Sequence, residues 1–206
     1  MTGLPRLVII TDWSIGEERL LRQLEAALQA RADVAVQHRN SQATTRAYFN
    51  QGQHLKALCD RFCVPLFVSA RMDVALALDA HLHLPAWVLN PADVRGHWPK
   101  GRWLSVAVHN DDEAAARASG ADFALVSPVF ETVSKPGTIP LGPSGFALLA
   151  RALGCPAFAL GGLTPERLAA LPEAAGAAAI SAVLHAEDPA AVVRAFCRPL
   201  ENNTKG

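Results

Sequence analysis

The sequence predicts an α/β protein, a (β/α)8 TIM barrel formed as a single domain over residues 1–200, with residues 201–206 as a frayed C-terminal tail. Three observations predict it. Apolar runs of about five residues, rich in Val, Ile, Leu and Phe, alternate with helical patterns along the whole chain. The runs are apolar at successive positions, which suits strands covered on both faces, and no Asn-Gly hairpin signal separates them. With 206 residues, 50% of them hydrophobic, the chain can bury one large core.

Taken in order, the strands fall at residues 7–11, 34–39, 66–70, 81–85, 104–109, 123–128, 157–162 and 177–183. Helical spacing places helices at 18–32, 44–62, 72–79, 92–98, 111–119, 143–153, 165–174 and 189–198. Thr164-Pro165-Glu166 reads as an N-cap, a first-turn proline and a carboxylate at the positive end of the helix dipole. The segment 89–102 is polar, carries two Pro and two Gly, and gives the weakest of these helices. A doubly wound open sheet is the alternative, but DWSIG at 12–16 lacks the spaced glycines of a dinucleotide-binding turn. In a closed barrel, function collects where strands end, and phosphate commonly sits on the loops after the seventh and eighth strands.

Composition narrows the partners. Lys plus Arg equal Asp plus Glu at 19 each, so no net charge draws the chain to nucleic acid or to an anionic membrane surface. The four Cys lack zinc or disulfide spacing, with Cys59 and Cys63 four apart on a helix and Cys155 and Cys197 isolated. No signal segment opens the chain and no apolar run nears the ~20 residues of a membrane helix, so the cytoplasm is the expected location.

The polar loop that follows the sixth strand, within FALVSPVFETVSKPGTIPLG at 123–142, carries Thr132, Ser134 and Lys135. Gly161-Gly162 after AFAL and Ser181-Ala182 after AAAI end the last two strands. Together these form one phosphate-binding face, with amides from Gly161, Gly162 and Ala182, the Ser181 hydroxyl, and the Lys135 charge. Gln37 and Arg39 share one face of the second strand, and an Arg at a barrel rim can grip a carboxylate or phosphate. His81 and His83 point the same way and His109 closes the neighbouring strand; three imidazoles can bind zinc. A hydrolase barrel of that kind also wants a strand-end carboxylate, and the eighth strand ends in Ser181-Ala182-Val183, so no metal is assigned.

Several stretches resemble a known family over nearly the whole chain. They are VQHR at 36–39, MDVALAL followed by HLHLP over 72–85, VAVH at 106–109 and SGADFALVSPVFETVSK at 119–135. Further on come Leu141-Gly142, FALGGLTPE at 158–166 and ISAV at 180–183. In order and spacing they are similar to the thiamine phosphate synthase and TenI proteins, which are (β/α)8 barrels.

The resemblance implies a pocket for a thiazole phosphate or thiamine phosphate, no nucleic acid or membrane partner, and leaves a homo-oligomer open. Thr132, Ser134, Gly161, Gly162, Ser181 and Ala182 would hold the thiazole-phosphate end. Gln37, Arg39 and Lys135 would face the pyrimidine and pyrophosphate end. In the synthases a pyrimidine pyrophosphate ionises with help from magnesium, and the thiazole nitrogen captures the cation.

Departures from the pattern cluster at the pyrophosphate end. Ser41 stands where the family has Lys, Ser69-Ala70 replace an Asn-Asp pair, and Ala107 replaces Ser. The magnesium-binding Asp positions fall on Ala80 and near Val88, with Asp79, Asp93 and Arg71 the nearby replacements. Each lost charge-assisted hydrogen bond is worth roughly 1.5–3 kcal/mol. Together with the metal this slows pyrophosphate departure by about three orders of magnitude or more. The chain is therefore expected to be an enzyme of the TenI branch, a thiazole tautomerase that needs no cofactor, with thiamine phosphate synthase and a non-catalytic binding barrel as alternatives. Magnesium enters only under synthase chemistry. The branch's acid–base His lies where this chain has Pro128, so proton transfer falls to His109 or His83.

Overall fold

The computed structural model describes residues 3–30, 33–110, 119–132 and 137–201. Eight parallel strands close into a barrel in chain order: β1 (Leu7–Ile10), β2 (Val34–His38), β3 (Leu66–Ser69), β4 (His81–Leu84), β5 (Leu104–Val108), β6 (Phe123–Val126), β7 (Ala157–Leu160) and β8 (Gly176–Ala179). Closure is made by β8 pairing with β1, Ala177 beside Leu7 and Ala179 beside Ile9. The described helices around it are α1 (Glu17–Leu28), α2 (Thr45–Phe62), α3 (Met72–Ala77), α4 (Pro91–Arg95), α5 (Gly142–Ala152), α6 (Pro165–Ala169), α7 (Ser181–Leu184) and α8 (Pro189–Glu201).

Strand alternation sorts the core into two parts. Outward positions such as Leu7, Ile9, Val34, Val36, Leu66, Val68, Val106 and Val126 pack against the helices in one large cluster. Inward positions Val8, Ile10, Ala35, Phe67, Phe123, Leu125, Phe158 and Ala178 fill the lumen. The lower lumen is aromatic: Phe67 lies 5.5 Å from Phe123 and Phe123 4.4 Å from Phe158, centroid to centroid. Gly176 makes room for this stack, since a Cβ there would stand 2.4 Å from the Phe158 ring. His81 and Trp103 extend the same floor, 4.7 Å apart.

The cap expected at Thr164 is present: its hydroxyl accepts from the Arg167 amide, and Pro165 opens α6. Strands are shorter than expected at their carboxyl ends, because Thr11, Arg39, Ala70, Pro85, His109 and Pro128 have left the ladder to become loop. The eighth strand needs a larger correction. It stops at Ala179, and Ser181, Ala182 and Val183, expected as strand, form the first residues of α7. A run of small residues continues through 174–182 without a break in polarity, so composition carried no mark of the turn at Ile180. The helix expected over 111–119 lies outside the described residues except for Ser119, a turn residue, and of the tail expected at 201–206 only Glu201 is described, where it ends α8 rather than fraying.

Candidate functional site

The carboxyl ends of the strands surround a chamber of about 450 Å³. Gln37 and Arg39 from the end of β2, His83 from β4 and His109 after β5 all line it, so four residues expected at the site converge there. Ile10, Leu125 and Leu160 give it an apolar wall, while Ser69, Ser127, Arg71 and Trp87 reach it from other strand ends.

Several polar groups in the chamber are held by neighbours. The Thr11 hydroxyl brackets Arg39, accepting from its amide at 2.9 Å and donating to its carbonyl at 3.1 Å. His109 Nδ1 is 2.7 Å from the Ser127 carbonyl, which can only accept, so Nδ1 carries the proton and Nε2 is the basic nitrogen. His83 Nδ1 pairs with the buried Ser105 hydroxyl at 2.9 Å. Arg71 is fixed over the Tyr48 ring, 5.2 Å from its centroid, by bonds to Thr45 Oγ1 and the Ala43 carbonyl.

His81 does not join its neighbours. It takes the Trp103 amide on Nδ1 at 2.9 Å and sits among the floor aromatics, where burial lowers its pKa to about 4. The three-imidazole arrangement is therefore not assembled. His38, on the outer face of β2, donates from Nε2 to the Tyr48 carbonyl at 2.9 Å and stacks on that ring at 3.8 Å. Burial, reinforced by the Arg71 charge, lowers its pKa to about 4 as well.

Beside the chamber, sharing Leu160 as a common wall, is a cleft of about 130 Å³ lined by Thr132, Gly161, Gly162, Ser181 and Ala182. Five more expected residues thus meet on the ends of β7 and β8. Their proximity has a backbone cause. Val129 N donates to Leu160 O and Phe130 N to Gly161 O, so the loop after β6 continues the pairing beyond the strands. Gly162 adopts φ +60°, and a Cβ there would lie 2.2 Å from the Glu131 carbonyl, so only glycine allows the loop this close. Arg167 ties the same seam, donating to Gly162 O and covering the Phe130 ring at 5.1 Å. Ser134 and Lys135 lie outside the described residues.

A depression of about 550 Å³ at the opposite end of the barrel, among Leu4, Pro65 and Trp103, holds no histidine, and its charged residues Asp33 and Arg61 are paired with Arg6 and Glu25. The described residues expected at the site sit at the carboxyl-end mouth instead.

Residues 7–184 match the family model described as thiamine monophosphate synthase. The chain belongs to that family. It is a family of enzymes, and its similarity to curated members spans nearly whole chains. The thiamine-phosphate synthase of Roseiflexus castenholzii is 37% identical, covering 92% of this chain and 85% of the relative. That of Salinispora arenicola is 34% identical over 97% of this chain and 99% of the relative. Among solved structures, thiamine phosphate pyrophosphorylase from Pyrococcus furiosus aligns with a TM-score of 0.81 and 27% identity, covering 97% of this chain and 96% of that one. A 3-hexulose-6-phosphate synthase, at 16% identity and a TM-score of 0.69, shares the fold.

Whether the family's magnesium fits here is decided by the donor set. Magnesium takes hard oxygen ligands, usually including a carboxylate. Among the described residues lining the chamber none is Asp or Glu, and Ala70 and Ala107 occupy strand ends with no donor side chain. Asp79 cannot substitute. It precedes β4, at the end of the barrel away from the mouth, in an ion pair with Arg102. Asp93 is exposed in the first turn of α4, and Arg71 is a cation. The described residues of the chamber do not fit the metal.

Tyr48, Ser105, Ser127 and Trp87 were not legible as site residues. Tyr48 sits on α2 with helical spacing to Leu55 and Cys59, which marks it as core, and it is core; yet its hydroxyl lies 2.7 Å from His38 O and 3.0 Å from Ser69 O, joining two strand ends at the chamber wall. Ser105, two residues before Ala107 on an inward position, was within reach of alternation arguments.

Proposed function

We propose that this chain binds a thiazole phosphate and acts on it by proton transfer, as a thiazole tautomerase, without the magnesium-assisted departure of pyrophosphate. The observation that carries this is the chamber itself, which joins two histidines to a glycine-lined cleft and offers no described carboxylate to a metal. The phosphate sits in the cleft, on the amides of Gly161, Gly162 and Ala182 and the Ser181 hydroxyl, with Thr132 and, from the sequence, Ser134 and Lys135 at its open side. The ring then lies in the chamber against Ile10, Leu125 and Leu160.

His109 is the base, because the Ser127 carbonyl orients its Nδ1–H and directs the lone pair of Nε2 away from the strand. It takes a proton from the non-aromatic ring and returns one at another atom of the conjugated system, so the ring becomes aromatic with no change in composition. His83, oriented by Ser105, supports the charge that develops. Gln37 and Arg39 hold polar substituents of the ring.

A second reading, thiamine phosphate synthesis, is favoured by the names of relatives at 34–37% identity. One experiment separates the two. Purified chain is given the non-aromatic thiazole phosphate in deuterated water, and separately the aromatic one with a pyrimidine pyrophosphate and magnesium. The tautomerase reading expects solvent deuterium in the product and no pyrophosphate release. Pyrophosphate release at an ordinary enzymatic rate of roughly 1 s⁻¹ or more overturns it.

A further inference from the structure

On the outer face of the barrel, α2 and α3 precede and follow β3 and leave a groove of about 400 Å³ between them. Phe49 from α2 and Val74 and Ala77 from α3 give it an apolar lining. Beside it, Met72 and Leu76 lie one turn apart on α3 and are 37% and 46% exposed, so an apolar ridge runs along an apolar groove. A single uncovered apolar side chain is ordinary on a protein surface. A ridge and a groove together form a contact surface whose partner is another chain.

The charges on this surface say which chain. Arg46 on α2 and Asp73 on α3 line the groove, both exposed, and among the described residues neither enters an ion pair or a side-chain hydrogen bond. The neighbouring seam between α1 and α2 is different, closed by Glu17 with His54 and by Glu25 with Arg61. A polyanion on the groove would be opposed by Asp73, and a polycation by Arg46. The partner that suits both must carry one charge of each sign beside its own ridge and groove. A second copy of this chain does so under a twofold axis, where the same patch serves both sides. Equal numbers of acidic and basic residues, 19 each, leave no net repulsion between copies.

We infer that the α2–α3 groove is a homodimer interface, with Met72 and Leu76 of each copy entering the groove of the other and Arg46 of each copy pairing with Asp73 of the other. The interface is one contact from the chamber, because Thr45 lines the groove while its hydroxyl accepts from Arg71 at the chamber edge. It stands independently of the tautomerase reading.

Sedimentation equilibrium of the full chain between roughly 1 and 100 μM, the range in which modest interfaces associate, is the test. Wild type is expected at twice the chain mass. Leu76→Asp, Arg46→Asp and Asp73→Arg should each weaken association about tenfold or more, with circular dichroism spectra unchanged because all three side chains are exposed. An equimolar mixture of the Arg46→Asp and Asp73→Arg proteins restores both charge pairs and should dimerise within about threefold of wild type. A wild-type chain that is monomeric at 100 μM overturns the inference and leaves the groove to a different protein. A dimer that survives all three substitutions, or a mixture that stays monomeric, overturns it as well.

Discussion

Replacing Gly162 with Ala probes the seam on which the phosphate cleft depends. The residue sits at φ +60°, where a side chain costs roughly 1 kcal/mol or more. Its new Cβ would stand 2.2 Å from the Glu131 carbonyl and 2.9 Å from Phe130 Cβ, distances no packing tolerates, so residues 130–131 must retreat. Retreat breaks the Phe130 N to Gly161 O bond, worth about 1 kcal/mol, and separates Thr132 from Gly161 across the cleft. The two terms sum to about 2 kcal/mol or more, a melting point lower by at least roughly 4–8 °C for a chain of this size. Gly96→Ala is the control, since Gly96 has φ −64° and nothing within 4 Å of an added Cβ, and should change stability by about 0.5 kcal/mol or less. Denaturation followed by circular dichroism measures the first quantity, and calorimetry with thiazole phosphate the second, for which about tenfold weaker binding is expected. A Gly162→Ala protein that melts with wild type and binds as well would refute the claim that the loop and turn share one wall.

Other expectations follow from the same geometry. His38 and His81 are neutral in the fold with pKa values of about 4, below the ordinary value near 6.5, so the unfolded chain binds protons first as pH falls. Stability is whole above pH 6.5 and declines between 6.5 and about 4; for the fully buried His38 the loss is up to roughly 3 kcal/mol, and urea midpoints of His38→Leu should be flatter across that window. Tyr48→Phe removes the hydroxyl between His38 O and Ser69 O and should cost about 1–3 kcal/mol, which chemical denaturation reads directly. His109→Gln should leave thiazole phosphate affinity within about threefold while lowering deuterium incorporation about a hundredfold or more; equal incorporation moves the base elsewhere. Chelation of divalent ions should leave the affinity for thiazole phosphate unchanged, and a fall after chelation would show a metal site the chamber donors do not explain.

The barrel was legible because its strands are apolar on both faces, a pattern few other folds require, and the second strand even told which side Gln37 and Arg39 would take. What escaped was detail that depends on three-dimensional neighbours. Alternation puts His38 on the face opposite Gln37 and Arg39, but the Tyr48 ring it stacks on comes from a different element. Asp79 looked close to a metal position in the chain, but two residues before a strand is the far end of a barrel from its mouth. The turn into α7 was hidden because no Gly or Pro between Ala179 and Leu184 marks where the strand gives way to the helix. Ser105 and Ser127 are small hydroxyls whose role shows only once a histidine stands opposite.

Among the described residues, the aromatic floor of Phe67, Trp103, Phe123 and Phe158 closes the barrel beneath the chamber and leaves the mouth as its doorway. Whatever enters between Trp87 and the cleft must leave by the same route, so a spent molecule blocks its successor until it departs. Under the tautomerase reading, turnover in such a blind well is expected to follow how quickly the phosphate lets go, and a compound that merely lingers at the threshold is expected to act as a competitive inhibitor.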